Sequence, residues 1–232
     1  MRRVLTVVIV AAAVALTGCG SATTAGGAGA PASAVDTATS AAGSGRTSES
    51  RPVSGFDGVE LSSFGTLQIE QTGTESLTIE ADADVLPSLT SEVAAGVLRL
   101  GLAPNTTIDD ARPVVYRLTV AALDSITVSG AGDVTATDLQ TDRFTLDVSG
   151  AGDVTVTGTA DTQDVTIGGT GRYDGEGLQS STATVTVDGA GAVVVRVSDR
   201  LDATVAGAGS VEYIGNPQVT QDIRGIGSVE RR

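Results

Sequence analysis

Six copies of one pattern, apolar-x-Gly-x-Gly-x-apolar, run through the second half of this chain. They read Val128-Ser-Gly-Ala-Gly-Asp-Val134, Val148-Ser-Gly-Ala-Gly-Asp-Val154, Ile167-Gly-Gly-Thr-Gly-Arg-Tyr173, Val187-Asp-Gly-Ala-Gly-Ala-Val193, Val205-Ala-Gly-Ala-Gly-Ser-Val211 and Ile223-Arg-Gly-Ile-Gly-Ser-Val229. Successive copies start 20, 19, 20, 18 and 18 residues apart. A period near 19, rich in β-branched residues, specifies one coil of a solenoid per repeat. A lone coil cannot bury its apolar face and must stack on its copies.

Aligning the copies exposes apolar columns. Ile126, Leu146, Val165, Val185, Ala203 and Gln221 precede the motif by two residues, and Val134, Val154, Tyr173, Val193, Val211 and Val229 follow the turn. They alternate with the polar column Thr127, Asp147, Thr166, Thr186, Thr204 and Asp222, as half-buried strands require. Each coil is expected to hold two short strands with a Gly-x-Gly corner between them. The corner glycines are Gly130 and Gly132, Gly150 and Gly152, Gly169 and Gly171, Gly189 and Gly191, Gly207 and Gly209, and Gly225 and Gly227. Two reasons for glycine are expected: a left-handed φ, and corners stacked too closely for Cβ atoms. The predicted fold is all-β, a single-domain parallel β-helix of about six regular 18–20-residue coils behind irregular N-terminal strands. The left-handed type favours a strict six-residue subdivision, which is missing here, so the right-handed type is expected.

The chain has 232 residues, but the folded body is expected only over 51–232. Residues 1–18 read as a secretory signal: Arg2 and Arg3 form its charged end, and Val4 to Ala15 its apolar run, too short for a comfortable membrane span. Leu16-Thr17-Gly18-Cys19 then resembles the lipobox of bacterial lipoproteins. That resemblance implies that Cys19 carries a diacylglycerol anchor on the extracytoplasmic side of the cell membrane; two acyl chains hold where one does not. Residues 19–50, rich in Gly, Ala, Ser and Thr, read as a flexible linker after the lipidated cysteine.

Cys19 is the one cysteine, so no intrachain disulfide is expected. Losing the signal removes two arginines and no acid, which moves the formal net charge from −14 to −16. Such a surface repels nucleic acid and anionic headgroups. The expected partners are the membrane, through the anchor, and an envelope protein or glycan.

Before the repeats, Leu61-Ser-Ser-Phe-Gly-Thr-Leu67 reads as a degenerate first copy. Leu67 to Ile79 suits two strands joined tightly, Asp82 to Leu89 a short helical or irregular connection, and Glu92 to Leu102 a hairpin turning at Ala-Ala-Gly. Val114 to Val120 is expected to lead into the regular coils. The opening Val53-Ser-Gly-Phe-Asp-Gly-Val59, the Glu75-Ser-Leu-Thr-Ile-Glu80 strand and the Gly-x-Gly coils together resemble the auto-transporter adhesin, head GIN domain family. The resemblance implies a β-helical protein of the bacterial envelope, with no catalytic residues to carry over.

The chain has no histidine, lysine or free thiol if Cys19 is acylated, which removes most nucleophiles and neutral-pH bases. No catalytic residue and no cofactor are expected. Asp133 and Asp153 share a position in adjacent coils, where like charges repel, and are the candidate cation ligands. A metal-free turn is the expectation. Tyr173, Tyr213, Phe56, Phe64, Phe144 and Tyr116 are assigned to packing, which leaves little stacking platform for sugars. The favoured function is a non-catalytic envelope interaction or adhesion module. The alternatives are an enzyme acting on cell-wall or extracellular polysaccharide and an accessory protein in envelope signalling. A groove with several convergent carboxylates or arginines would favour the enzyme.

Overall fold

A computed structural model describes residues 45–106, 108 and 112–232, all of which belong to one compact unit. The signal segment, Cys19 and the linker up to residue 44 lie outside the described residues.

The repeats form a parallel β-solenoid. Its regular strands are β8 (Ser125–Val128), β9 (Ala131–Val148), β10 (Asp153–Ile167), β11 (Arg172–Val187), β12 (Ala192–Val205), β13 (Ser210–Ile214), β14 (Gln218–Ile223) and β15 (Ser228–Arg231). Each pairs in parallel with the strand one coil away, and Val165 faces Leu146 on one side and Val185 on the other. The six corners bound five complete turns, one fewer than the number of motif copies. The expected two short strands per coil are instead fused. From β9 to β12 one strand of 14 to 18 residues runs from corner to corner and bends midway, where the pairing shifts register before it resumes.

Inward positions obey the predicted columns. Val128, Val148, Ile167, Val187 and Val205 are fully buried, as are Val134, Val154, Tyr173, Val193 and Val211. Tyr173 fits because Gly175 stands two residues on. A Cβ there would meet the phenol ring at 2.8 Å, so the ring occupies the place of two side chains. Phe56, Phe144 and Tyr116 are buried too, while Phe64 and Tyr213 are partly exposed and packed on the core.

The corner glycines are explained by close approach alone. None of the twelve has a left-handed φ, so that expected reason is wrong. The Gly130 carbonyl accepts from the N–H of Ala151 at 3.1 Å, and a Cβ on Gly150 would run into that same oxygen. The pattern recurs upward: Gly150 accepts from Thr170 at 3.2 Å and blocks Gly169, and Gly169 accepts from Ala190 at 3.1 Å and blocks Gly189. The second glycine of each corner meets the equivalent carbonyl below it, as Gly152 meets Gly132. Where one corner stacks on another in this way, parallel pairing thus continues around the bend only if both positions of the later corner lack a side chain.

The N-terminal part is less regular. It comprises β1 (Arg46–Arg51), β2 (Gly58–Leu61), β3 (Phe64–Gln71), β4 (Ser76–Asp82), β5 (Leu89–Ala94), β6 (Val97–Leu102) and β7 (Val115–Val120), with one short 3-10 turn at Leu86–Ser88. β2 and β3 stack on β8 and β9, with Leu61 facing Val128 and Leu67 facing Val134. The degenerate motif at Leu61–Leu67 is therefore a true seventh corner. β6 and β7 lie on the other face of β2 and β3, so this coil is held between two strand pairs that follow it in the chain.

Two expectations fail here. β3 and β4 form no hairpin, because β7 lies between them and pairs with both. The first described strand also begins at Arg46, inside the predicted linker, because β1 adds antiparallel to β4. Its exposed, polar RTSESR sequence covers an edge without adding core, which is why hydropathy hides it. The β5–β6 hairpin is present, with Ala95 and Gly96 both at positive φ, as a type I′ turn needs.

Gly168 and Gly169 separate close approach from chain flexibility. A Cβ at Gly168 meets nothing within 4 Å, whereas one at Gly169 meets the Gly150 carbonyl. Thermal melts should show Gly169→Ala losing about 3 kcal/mol and Gly168→Ala changing stability by no more than about 0.5 kcal/mol. Equal losses would contradict this explanation.

Candidate functional site

The bend opposite the Gly-x-Gly corner absorbs the uneven coil lengths. Gly175 faces Val195 and Gln179 faces Arg196, so Glu176, Gly177 and Leu178 of β11 have no counterpart in β12. The extra residues are tied down by arginines: Arg196 Nε donates to the Glu176 carbonyl at 2.7 Å, and Arg232 pairs with the Glu176 carboxylate at 2.9 Å. Beside them lies an open cleft of about 530 Å³ that crosses β9 to β12 and the segment after β13. Hydroxyl and amide groups dominate its lining, among them Thr159, Gln179, Ser181, Ser198 and Asn216. Its charged members are Asp161 and Arg196.

Arg196 differs from most arginines of the domain. Arg99, Arg117, Arg143, Arg200 and Arg224 each pair with a carboxylate. Among the described residues no carboxylate lies within ion-pair distance of Arg196, and its one side-chain hydrogen bond uses Nε. Both terminal nitrogens therefore remain for a ligand. In a chain of formal net charge −14 this is a local attractor for a carboxylate or a ring of hydroxyls.

Behind the cleft runs a buried polar relay. Tyr173 Oη donates to Gln163 Oε1 at 3.1 Å, Gln163 Nε2 donates to Ser180 Oγ at 2.7 Å, and Ser180 donates to the Arg196 carbonyl at 3.0 Å. Gln163 is fully buried in a column that otherwise holds Phe144, Ala183 and Leu201. Burial pushes the Tyr173 phenol well above its ordinary pKa, with the neighbouring Asp174 charge adding to the rise, so it stays a neutral donor. A satisfied relay of this kind fixes the register of neighbouring coils and stiffens the cleft wall. Sequence reading missed Gln163, Ser180 and Arg196. The available signal was Gln163 itself, an amide at the inward parity of a strand, two residues before Val165.

The sequence-predicted positions are distributed differently. The twelve glycines line the opposite corner and offer backbone only. Asp133 and Asp153 lie side by side there, and Asp133 Oδ1 accepts from the backbone N–H of Asp153 at 3.2 Å. Asp153 in turn faces Arg172 in the register. The Asp133 carboxylate is thus satisfied in part by a backbone donor, and an arginine, not a third carboxylate, follows in the column. Among the described residues no three His, Cys, Asp or Glu side chains gather as a metal site.

The family model described as "Putative auto-transporter adhesin, head GIN domain" matches residues 55–217, and the chain belongs to that family. A crystal structure of a "putative adhesin" from Bacteroides fragilis is similar in fold, with a TM-score of 0.68 at 20% identity, covering 82% of this chain and 98% of that one. One from Parabacteroides distasonis, described in the same words, gives 0.52 at 20% identity over 81% and 97%. A third, from Parabacteroides merdae, gives 0.50 at 19% identity over 82% and 97%. No curated protein matches the chain.

Two outcomes check this description. Tyr173→Phe leaves Gln163 Oε1 buried without its donor and should cost about 1–3 kcal/mol, while adding Gln163→Leu should recover most of that loss. Calcium should leave the melting temperature unchanged, and Asp153→Ala, which keeps the backbone donor to Asp133, should stay within about 0.5 kcal/mol of the parent. A calcium-dependent rise that Asp153→Ala abolishes would make this corner a cation site.

Proposed function

We propose that this head GIN domain protein is a non-catalytic binding module of the bacterial envelope, anchored to the membrane through Cys19 and exposed on its extracytoplasmic side. The observation that carries the reading is the cleft. Its two charged groups are a single carboxylate and a single guanidinium, set among neutral hydroxyls and amides. Polysaccharide cleavage by paired acid and base, or by a cluster of arginines, needs several convergent charged groups. A polar cleft on a stiff scaffold instead suits recognition of a hydroxyl-rich surface, glycan foremost. The adhesin descriptions of the family and of its solved relatives agree with that use.

The anchor rests on the lipobox-like Leu16-Thr17-Gly18-Cys19 behind an apolar run. A secretory route and an acylated cysteine together place the domain outside the cytoplasm, and the acidic surface keeps it off the headgroups.

Incubation of the purified chain with isolated envelope polysaccharide separates the readings. Retention on the polysaccharide, weakened several-fold by Arg196→Ala and without new reducing or unsaturated sugar ends, is expected. Release of such ends would replace binding with catalysis. In cells, Cys19→Ser should move the protein from the detergent-soluble membrane fraction to the medium or leave the precursor uncleaved; unchanged fractionation would remove the anchor.

A further inference from the structure

The two ends of the solenoid are built differently. At the N-terminal end, β4 adds antiparallel to β7 and β1 antiparallel to β4, and β5 adds antiparallel to β6. At the other end the last strands, β14 and β15, pair with β12 and β13 on one side. Among the described residues their other side has no strand against it. Apolar side chains emerge here: Val219 is 37% exposed, Ile223 42% and Ile226 92%. An open edge with its backbone donors and acceptors free is a template for another strand.

We propose that a second copy of this chain covers this edge, with β14 of each copy pairing antiparallel about a two-fold axis at Gln221. Three observations on β14 select this partner. First, its inward residues Val219, Gln221 and Ile223 continue the columns of Leu201, Ala203 and Val205. An antiparallel pair centred on Gln221 keeps every inward residue opposite an inward one.

Second, the side chains match under that operation. Val219 faces Ile223 of the second copy, and Ile223 faces its Val219. The two Gln221 carboxamides face each other, each with a donor and an acceptor to exchange. On the outer face Thr220 meets Asp222, a hydroxyl against a carboxylate. No like charges are opposed along the strand, as a self-complementary interface requires.

Third, the end is electrostatically permissive. Residues 218–232 hold two acids, Asp222 and Glu230, against three arginines, Arg224, Arg231 and Arg232, in a chain of formal net charge −14. Two copies that approach end to end bring their balanced regions together and keep the acidic bulk of each domain far from the other.

Exchange at the dyad tests the proposal with exposed substitutions that leave the core intact. Sedimentation velocity of the full chain in neutral detergent should show a dimer at micromolar concentration. Gln221→Glu and Gln221→Lys, studied alone, oppose like charges on the axis and should each weaken association about tenfold or more. Mixed in equal amounts, they oppose glutamate to lysine and should associate again. A parent chain that stays monomeric or grows into open-ended oligomers overturns the proposal. So do charge variants that dimerise as well as the parent, or a mixture that fails to associate.

Discussion

The fold depends on one contact repeated at the six glycine corners: a backbone carbonyl of one coil held where the Cβ of the next coil's glycine would otherwise be. That oxygen accepts a hydrogen bond from the residue at the apex of the next corner, so the parallel ladder passes around the bend unbroken. A single side chain at either glycine position would separate two coils locally and weaken the pairing on both sides. Val and Ile columns supply the apolar driving force, but they pack in register only because the corners sit at strand spacing.

The tight corner leaves length variation to the opposite bend. There, periods of 18 to 20 residues are reconciled by register shifts, by Gly158 at positive φ and by the three unmatched residues Glu176–Leu178. Irregularity on one side of a regular scaffold produces a cleft, and the Tyr173–Gln163–Ser180 relay holds its wall. The side that cannot vary carries the structure, and the side that can vary carries the features a ligand could read.

Much of this was legible in the sequence. Fixed spacing and strict alternation disclosed the solenoid, the columns, the corner glycines and even the degenerate corner at Leu61–Leu67. What stayed hidden had physical causes. β1 is polar and lies on an edge, so neither hydropathy nor periodicity marks it. The insertion of β2 and β3 beside strands that come later in the chain is a long-range choice that local pattern does not encode. The left-handed conformation assigned to the corner glycines was a habit of turn chemistry, whereas the operative constraint was a neighbour one coil away. Arg196 escaped notice because a chain with many acids suggests that every arginine is neutralised, and pairing depends on geometry.

Amide hydrogen exchange read residue by residue tests the corner contact most directly. If the ladder runs through the bends, the N–H groups of Ala151, Thr170, Ala190 and Ala208, which donate to the corner glycines of the preceding coil, should exchange as slowly as those of the flanking strands. Fast exchange at these apices beside slow exchange in the strands would show that the corners are ordinary loops, and the account of why each needs two glycines would be wrong.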